Sequence, residues 1–144
     1  MRTALFFTAA AMLMAGTIGS ANAAGDLTVR ATELEELVFG TDENTGFGMS
    51  ETEYDVETGK PYRLEIAAGG FHEFAIMMPE LMNASYVVGL EVDEIELKVG
   101  NLYEIGLEEG GEIELTFVPI RPGSYKIYAR DMENRGMVAT VNVK

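Results

Sequence analysis

Apolar and polar residues alternate in short runs along most of the chain, and glycine or proline bounds many of these runs. Period-two patterning between turn residues predicts β-strands that turn one face to the core and the other to water. The runs recur about every 10 residues, a spacing typical of a β-sandwich. Their apolar positions are Tyr62, Leu64 and Ile66; Ile95, Leu97 and Val99; Ile113, Leu115 and Phe117; Tyr125, Ile127 and Ala129; and Val141 and Val143.

The residues around the single histidine predict one further strand. His72, Phe74 and Ile76 alternate with other residues, so they share one face of a strand over residues 71–77. A helix can begin with proline, and the segment that starts at Pro79 is short. The remaining predictions are a strand over residues 33–39, a polar glycine-containing loop over residues 40–50, and a short helical turn or loop over residues 79–84.

The N-terminus has the three parts of a secretory signal. Arg2 is followed by an apolar run over residues 4–18 and by the small-residue ending Ala21-Asn22-Ala23. The apolar run is shorter than the roughly 20 residues that a membrane-spanning helix needs, which argues against a retained anchor. The pattern predicts a cleaved signal peptide at residues 1–23 and a single exported, periplasmic domain at residues 24–144, without membrane insertion of the mature chain.

The net charge of the chain limits the kinds of partner that it is expected to bind. It carries 24 acidic and 10 basic residues, for a formal net charge of −14. Nucleic acids and anionic membranes select basic surfaces, so neither is an expected partner, whereas a metal cation or a basic periplasmic protein suits this balance. Four acids, Glu94, Glu96, Glu112 and Glu114, alternate with apolar residues and are predicted on outward strand faces. They belong to a larger acidic cluster that also contains Glu91, Asp93, Glu104, Glu108 and Glu109.

The absence of cysteine excludes whole classes of chemistry. With no cysteine in the chain there are no disulfides, no thiolate nucleophiles and no thiolate metal ligands. Serine–histidine–acid catalysis would have to use His72, and no nucleophile-elbow motif is present. The sequence therefore predicts a non-enzymatic protein, and oxidation of a metal during iron uptake is the one enzymatic role that it leaves open.

The C-terminal segment carries a family resemblance. Residues 118–138 read VPIRPGSYKIYARDMENRGMV, residues 59–64 read GKPYRL, and residues 70–74 read GFHEF. In this order and spacing they resemble the cupredoxins, in which a Pro-Gly-x-Tyr turn precedes a strand with a ligand cysteine and Gly-Met opens the last strand. The resemblance covers residues 27–144 and implies an all-β, cupredoxin-like Greek-key β-sandwich.

The same resemblance implies an altered metal site. It places His72 at the first histidine ligand and Met137 at the axial methionine, but Ala129 at the cysteine and Met132 at the second histidine. Blue-copper sites need the cysteine thiolate, and alanine has no donor atom, so blue-copper electron transfer is excluded. One imidazole and two thioethers remain.

Thioethers are soft ligands that favour Cu(I), so the first hypothesis is a copper carrier or tolerance protein with His72, Met132 and Met137 as ligands. Against this stand two structural interpretations: methionine is a common core filler, and His72 lies on an apolar face. Met132 is expected in a polar loop, where an apolar side chain has little to pack on. Further thioethers enter the hypothesis if their loops reach the same end of the domain: Met49, Met77, Met78 and Met82.

Two other hypotheses stay open. Histidine with carboxylates suits Fe(II), and His72 has Glu73 beside it while Asp131 and Glu133 flank Met132. Some bacterial ferrous-iron uptake systems contain a periplasmic cupredoxin-like component, so the resemblance also implies an accessory role in iron uptake, with a membrane permease as partner. The third hypothesis is a metal-free interaction module that keeps the cupredoxin scaffold.

Overall fold

Strands dominate the computed structural model, which describes residues 30–92, 95–97 and 102–144. The predicted signal peptide and its cleavage site lie outside these residues. The strands are β1 (Thr32–Glu33), β2 (Leu37–Phe39), β3 (Glu53–Val56), β4 (Tyr62–Ala68), β5 (Phe74–Met77), β6 (Ser85–Val92), β7 (Ile95–Leu97), β8 (Glu104–Leu107), β9 (Glu112–Pro119), β10 (Gly123–Ala129) and β11 (Val138–Val143); the helix is α1 (Pro79–Asn83), and a 3-10 turn covers Glu133–Arg135.

The strands form two mixed sheets. The first sheet has the order β1-β4-β9-β6-β7, and β2 also pairs with β4; the second has the order β3-β11-β10-β5-β8. β1 and β2 run parallel to β4, and β3 runs parallel to β11, while the other pairs are antiparallel. One cluster of buried apolar side chains contains residues of both sheets. The predicted single-domain β-sandwich is confirmed.

The long central strands follow the predicted alternation. In β4, Leu64 and Ile66 are completely buried while Glu65 between them is exposed. In β9, Leu115 and Phe117 are completely buried while Thr116 between them is half-buried. Burying one aliphatic or aromatic side chain contributes about 1.5–3 kcal/mol, so these strands are fixed in register by their inner faces.

Helix α1 confirms the predicted turn over residues 79–84. Pro79 occupies its first turn, where a missing N–H costs nothing, and Leu81 and Met82 are buried. Within the described residues, no helix is long and apolar enough to cross a membrane.

Three details of the strand prediction are wrong. The strand predicted over residues 33–39 is interrupted, because β1 ends at Glu33 and β2 begins at Leu37. β7 alternates in sequence, yet Ile95 and Leu97 are 61% and 41% exposed, because in the described part of the chain this strand lies at the end of its sheet and pairs with β6. Val99 lies outside the described residues. β5 begins at Phe74, so His72 lies in the connection before the strand and not on its face.

Candidate functional site

His72 is held in an aromatic cluster. Its ring stacks on Phe47 with 4.8 Å between centroids, lies 4.6 Å from the ring of Phe71, and meets the edge of Phe74 at 6.4 Å. The side chain is half-buried. Its Nε2 lies 3.1 Å from the backbone oxygen of Thr45. These contacts fix the orientation of the imidazole plane.

The contact with Thr45 also fixes which ring nitrogen of His72 carries the proton. A carbonyl oxygen only accepts hydrogen bonds, so Nε2–H is the donor. In the neutral ring, Nδ1 then has a free lone pair. Histidines that bind metals almost always donate their other ring N–H to a carbonyl or carboxylate in this way. The geometry therefore leaves Nδ1 as the donor atom that His72 can offer to a metal.

The loop that carries Thr45 is held by hydrogen bonds to Asp42. The Asp42 carboxylate accepts hydrogen bonds from the backbone N–H of Asn44 at 2.8 Å and of Thr45 at 3.1 Å. These backbone donors lower the pKa of Asp42 below its ordinary value. The Gly46 N–H donates to the Asp42 carbonyl at 2.7 Å. This turn holds the Thr45 carbonyl in place under the imidazole.

The segment from Ala129 to Met137 forms a closed loop at the end of β10. Ala129 N–H donates to the carbonyl of Met137, and Met132 N–H donates to the carbonyl of Ala129, both at 3.0 Å. Gly136 ends the 3-10 turn in the left-handed conformation, with φ +80°. The loop thus brings Met132 and Met137 back to the same strand end.

Phe47 joins this loop to His72. The guanidinium carbon of Arg135 lies 4.6 Å from the centroid of the Phe47 ring, a cation–π contact, while the same ring stacks on His72. The three predicted ligands are therefore at the same end of the sandwich. Neither Phe47 nor Arg135 was predicted; the available signal was an apolar residue between Gly46 and Gly48 in a polar loop.

The two loop methionines differ in burial. Met137 has no exposed surface and belongs to the core cluster, directly before β11. Met132 is half-buried and packs against the same cluster. The prediction that Met132 has little to pack on is therefore wrong, because the loop folds back onto the sandwich.

The other methionines lie outside the Ala129–Met137 loop, although Met49 is only two residues from Phe47. Met77 pairs with Tyr128, whose side chain alternates with inward Ile127, so Met77 is on the outer side of the second sheet. Met82 lies in α1, and Arg121, two residues before β10, donates to the carbonyl of the neighbouring Asn83 at 2.7 Å. α1 thus ends at the opposite end of β10 from Met132. Met78 is buried before α1, and half-buried Met49 forms a bridge with Phe39.

The carboxylates of the iron hypothesis separate into two grooves. Glu73 and Asp131 line an open groove of about 500 Å³, whereas Glu133 lines another, of about 430 Å³, beside Tyr128. Among the described residues, no group of three or more histidine and acidic side chains is placed to hold a metal ion. We name the first groove the Met132 groove; its polar and sulfur-bearing lining residues are Glu73, Glu104, Glu108, Arg130, Asp131 and Met132.

The outer face of the first sheet carries a row of four glutamates on adjacent strands. Glu65 pairs with Glu114, Glu114 with Glu91, and Glu91 with Glu96. We call this row the Glu ladder. Arg63 lies beside it, with its Nε 2.9 Å from the carboxylate of Glu114. Desolvation and then neighbouring carboxylates raise the pKa of Glu65. A basic partner protein for this face stays a prediction.

We expect Glu65→Gln to stabilise the protein at neutral pH by a few tenths of a kcal/mol, because like charges directly opposite on a sheet are destabilising and solvent screens them. A raised pKa favours the protonated folded state, so the wild type loses stability as pH rises through that pKa. The advantage of the variant must therefore vanish below the ordinary value of 4.5. Urea denaturation from pH 4 to pH 8 measures it. Equal stabilisation by Glu43→Gln, in the exposed 40–50 loop, would contradict repulsion between the facing glutamates as the cause.

Solved structures similar to this one include a multicopper oxidase and two auracyanins. The multicopper oxidase from Campylobacter jejuni, a metallo-oxidase, matches with a TM-score of 0.56 and 10% identity over 81% of this chain and 31% of its own. Auracyanin B matches with 0.52 and 12% over 85% and 96%. Reduced auracyanin from Roseiflexus castenholzii matches with 0.50 and 18% over 80% and 99%.

These comparisons define the fold. The chain spans about a third of the multicopper oxidase but nearly the whole of the two auracyanins. No protein-family model matches the sequence, and no curated protein matches it. The protein has a cupredoxin-like β-sandwich fold.

Proposed function

We propose that this protein binds Cu(I) through His72, Met132 and Met137 and serves as an exported copper carrier or tolerance protein. One observation carries the proposal: the Arg135–Phe47–His72 contacts hold the methionine loop and the histidine at one end of the sandwich. The hydrogen bond from Nε2 to Thr45 supports it, because it leaves Nδ1 as a lone-pair donor.

The donor types favour copper in its reduced state. Thioethers and imidazole are neutral and soft or intermediate, and such ligands bind Cu(I) more readily than hard divalent ions. Ala129, which the cupredoxin resemblance assigns to the cysteine position, is completely buried and offers hydrocarbon where a blue-copper site has sulfur. The residues therefore fit a copper-holding site and do not fit a blue-copper electron-transfer site. The fold of the oxidase and auracyanin neighbours supports copper as the metal class.

Iron is the alternative cargo. Glu73 and Asp131 both line the Met132 groove and offer oxygen ligands to a divalent ion there, whereas His72 does not line it. A role beside a ferrous-iron permease would follow from iron binding in this groove. Glu133, the third carboxylate of that hypothesis, lines the other groove. Fe(II) would thus have two carboxylates at most from the predicted set.

We expect the double variant Met132→Leu/Met137→Leu to bind Cu(I) at least about tenfold more weakly than the wild type, because leucine keeps the volume and removes the sulfur. Competition with a chromogenic Cu(I) chelator measures the affinity. Met82→Leu is the matched control, since Met82 lies near the opposite end of β10. Unchanged affinity in the double variant would remove the thioethers from the site.

The same titration with Fe(II), Cu(II) and Zn(II) separates the hypotheses. A native-state ligand must raise the unfolding temperature, so thermal shift gives a second readout. Fe(II) binding that Glu73→Gln/Asp131→Asn abolishes and the methionine variant spares would establish the iron role. No stabilisation by any metal would favour the metal-free interaction module.

A further inference from the structure

The two thioethers of the proposed copper site differ in their access to solvent. Met137 is completely buried. Met132 is half-buried and lines the Met132 groove, which is open and about 500 Å³ in volume. A groove of this size admits small polar solutes along with water. Met132 is therefore the residue of the pair that dissolved reagents can reach, whereas Met137 is sealed in the core.

Met132 is unusual in this respect among the described methionines. Met77, Met78 and Met82 are at most 5% exposed. Met49 is half-buried like Met132 but does not line the Met132 groove. Oxidation of a methionine sulfur to the sulfoxide depends on exposure, so burial predicts that the buried methionines are oxidised more slowly, whether or not a metal binds.

We propose that Met132 is an oxidation site, and that peroxide converts it to methionine sulfoxide ahead of the buried methionines and thereby switches off Cu(I) binding. The loss of Cu(I) binding rests on the proposed function, whereas the preferential oxidation of Met132 does not. In the reaction the sulfur lone pair attacks one oxygen of hydrogen peroxide. The O–O bond breaks, an S–O bond forms, sulfur gives up two electrons, and the second oxygen leaves as water with both protons.

The consequence follows from where Met132 lies. Its side chain packs against the apolar core, and a sulfoxide is polar, so the oxidised group must turn outward into the groove. The carbonyl of Met132 accepts hydrogen bonds from the N–H of Arg135 at 2.9 Å and of Met137 at 3.4 Å. Movement of residue 132 therefore disturbs the turn that positions the Met137 thioether and the contact of Arg135 with Phe47. Oxidation removes one soft donor and loosens the loop that holds the other.

The test begins on metal-free protein treated with hydrogen peroxide and quenched with catalase. Peptide mass spectrometry follows each sulfoxide with time. We expect Met132 to react at least about tenfold faster than Met137, Met77, Met78 and Met82. Cu(I) competition on the same samples is expected to show loss of affinity in proportion to the Met132 sulfoxide, and methionine sulfoxide reductase is expected to restore it. Ag(I), a soft ion without the redox chemistry of copper, is expected to protect Met132 more than Met49.

Two results would overturn the proposal. Oxidation of Met132 no faster than that of Met137 would show that the groove gives no access, and would leave the copper proposal standing. Full Met132 sulfoxide with unchanged Cu(I) affinity would refute the switch. Failure of the copper proposal is seen separately, before any peroxide is added, as wild-type affinity in the Met132→Leu/Met137→Leu variant.

Discussion

The Phe74→Ala variant is expected to lose about 3–5 kcal/mol of unfolding free energy, the usual cost of truncating a buried phenylalanine. Phe74 is 1% exposed, and its ring centroid lies 5.9 Å from that of Phe39. Phe39 belongs to the first sheet and Phe74 to the second, so this contact joins the two sheets. Sheets held by backbone hydrogen bonds cannot collapse easily into the cavity, which keeps the loss near the upper end of the range.

Chemical denaturation at constant pH measures this loss, which is a large fraction of the 5–15 kcal/mol typical of a domain. Phe71→Ala is the matched control, because it makes the same chemical change three residues away at a side chain that is 56% exposed. We expect the control to lose less than about 1 kcal/mol. Comparable losses in the two variants would contradict the placement of Phe74 in the core between the sheets.

The strands that sequence predicted well are those whose inner faces are buried along their whole length. In β9, Ile113, Leu115 and Phe117 alternate with polar residues, and the sandwich buries all three. β7 has the same alternation at Ile95 and Leu97, but both are exposed. Alternation reports which side chains share a face, whereas burial of that face depends on what packs over it. That is a tertiary property which no local pattern contains.

The proposed ligands were named from the sequence, whereas the residues that hold them together were not. His72 and the two methionines were assigned through the cupredoxin resemblance, and the structure places them at one end of the sandwich. Phe47 and Arg135, which join them, are distant from each other in sequence and have no periodic signal. The surroundings of Met132 were mispredicted for a related reason: a polar sequence around a methionine does not reveal that the loop folds back onto the core.

Gly46 shows how closely the backbone approaches the imidazole. A Cβ atom there would lie 2.5 Å from Cδ2 and 2.8 Å from Nε2 of His72, far inside van der Waals contact. Gly46 has φ +71°, and Gly110 has the same φ with no atom within 4 Å of the corresponding Cβ position. Alanine at either position introduces the same backbone strain, but only alanine at position 46 also meets the ring of His72. A comparison of the two variants therefore isolates the effect of displacing His72.

We expect Gly46→Ala to weaken Cu(I) binding roughly 10–100-fold, the usual cost of losing a residue that orients a metal-binding histidine. The added methyl group must push the ring of His72 away from the Thr45 carbonyl, which breaks the hydrogen bond that leaves Nδ1 free. Gly110→Ala is expected to share the strain of about 1–2 kcal/mol in unfolding free energy and to keep full affinity. Chelator competition measures the affinity, and the NMR signals of the His72 ring report its displacement without metal. A displaced ring with unchanged Cu(I) affinity would remove His72 from the site, whereas an undisplaced ring would show that the 42–46 turn yields instead.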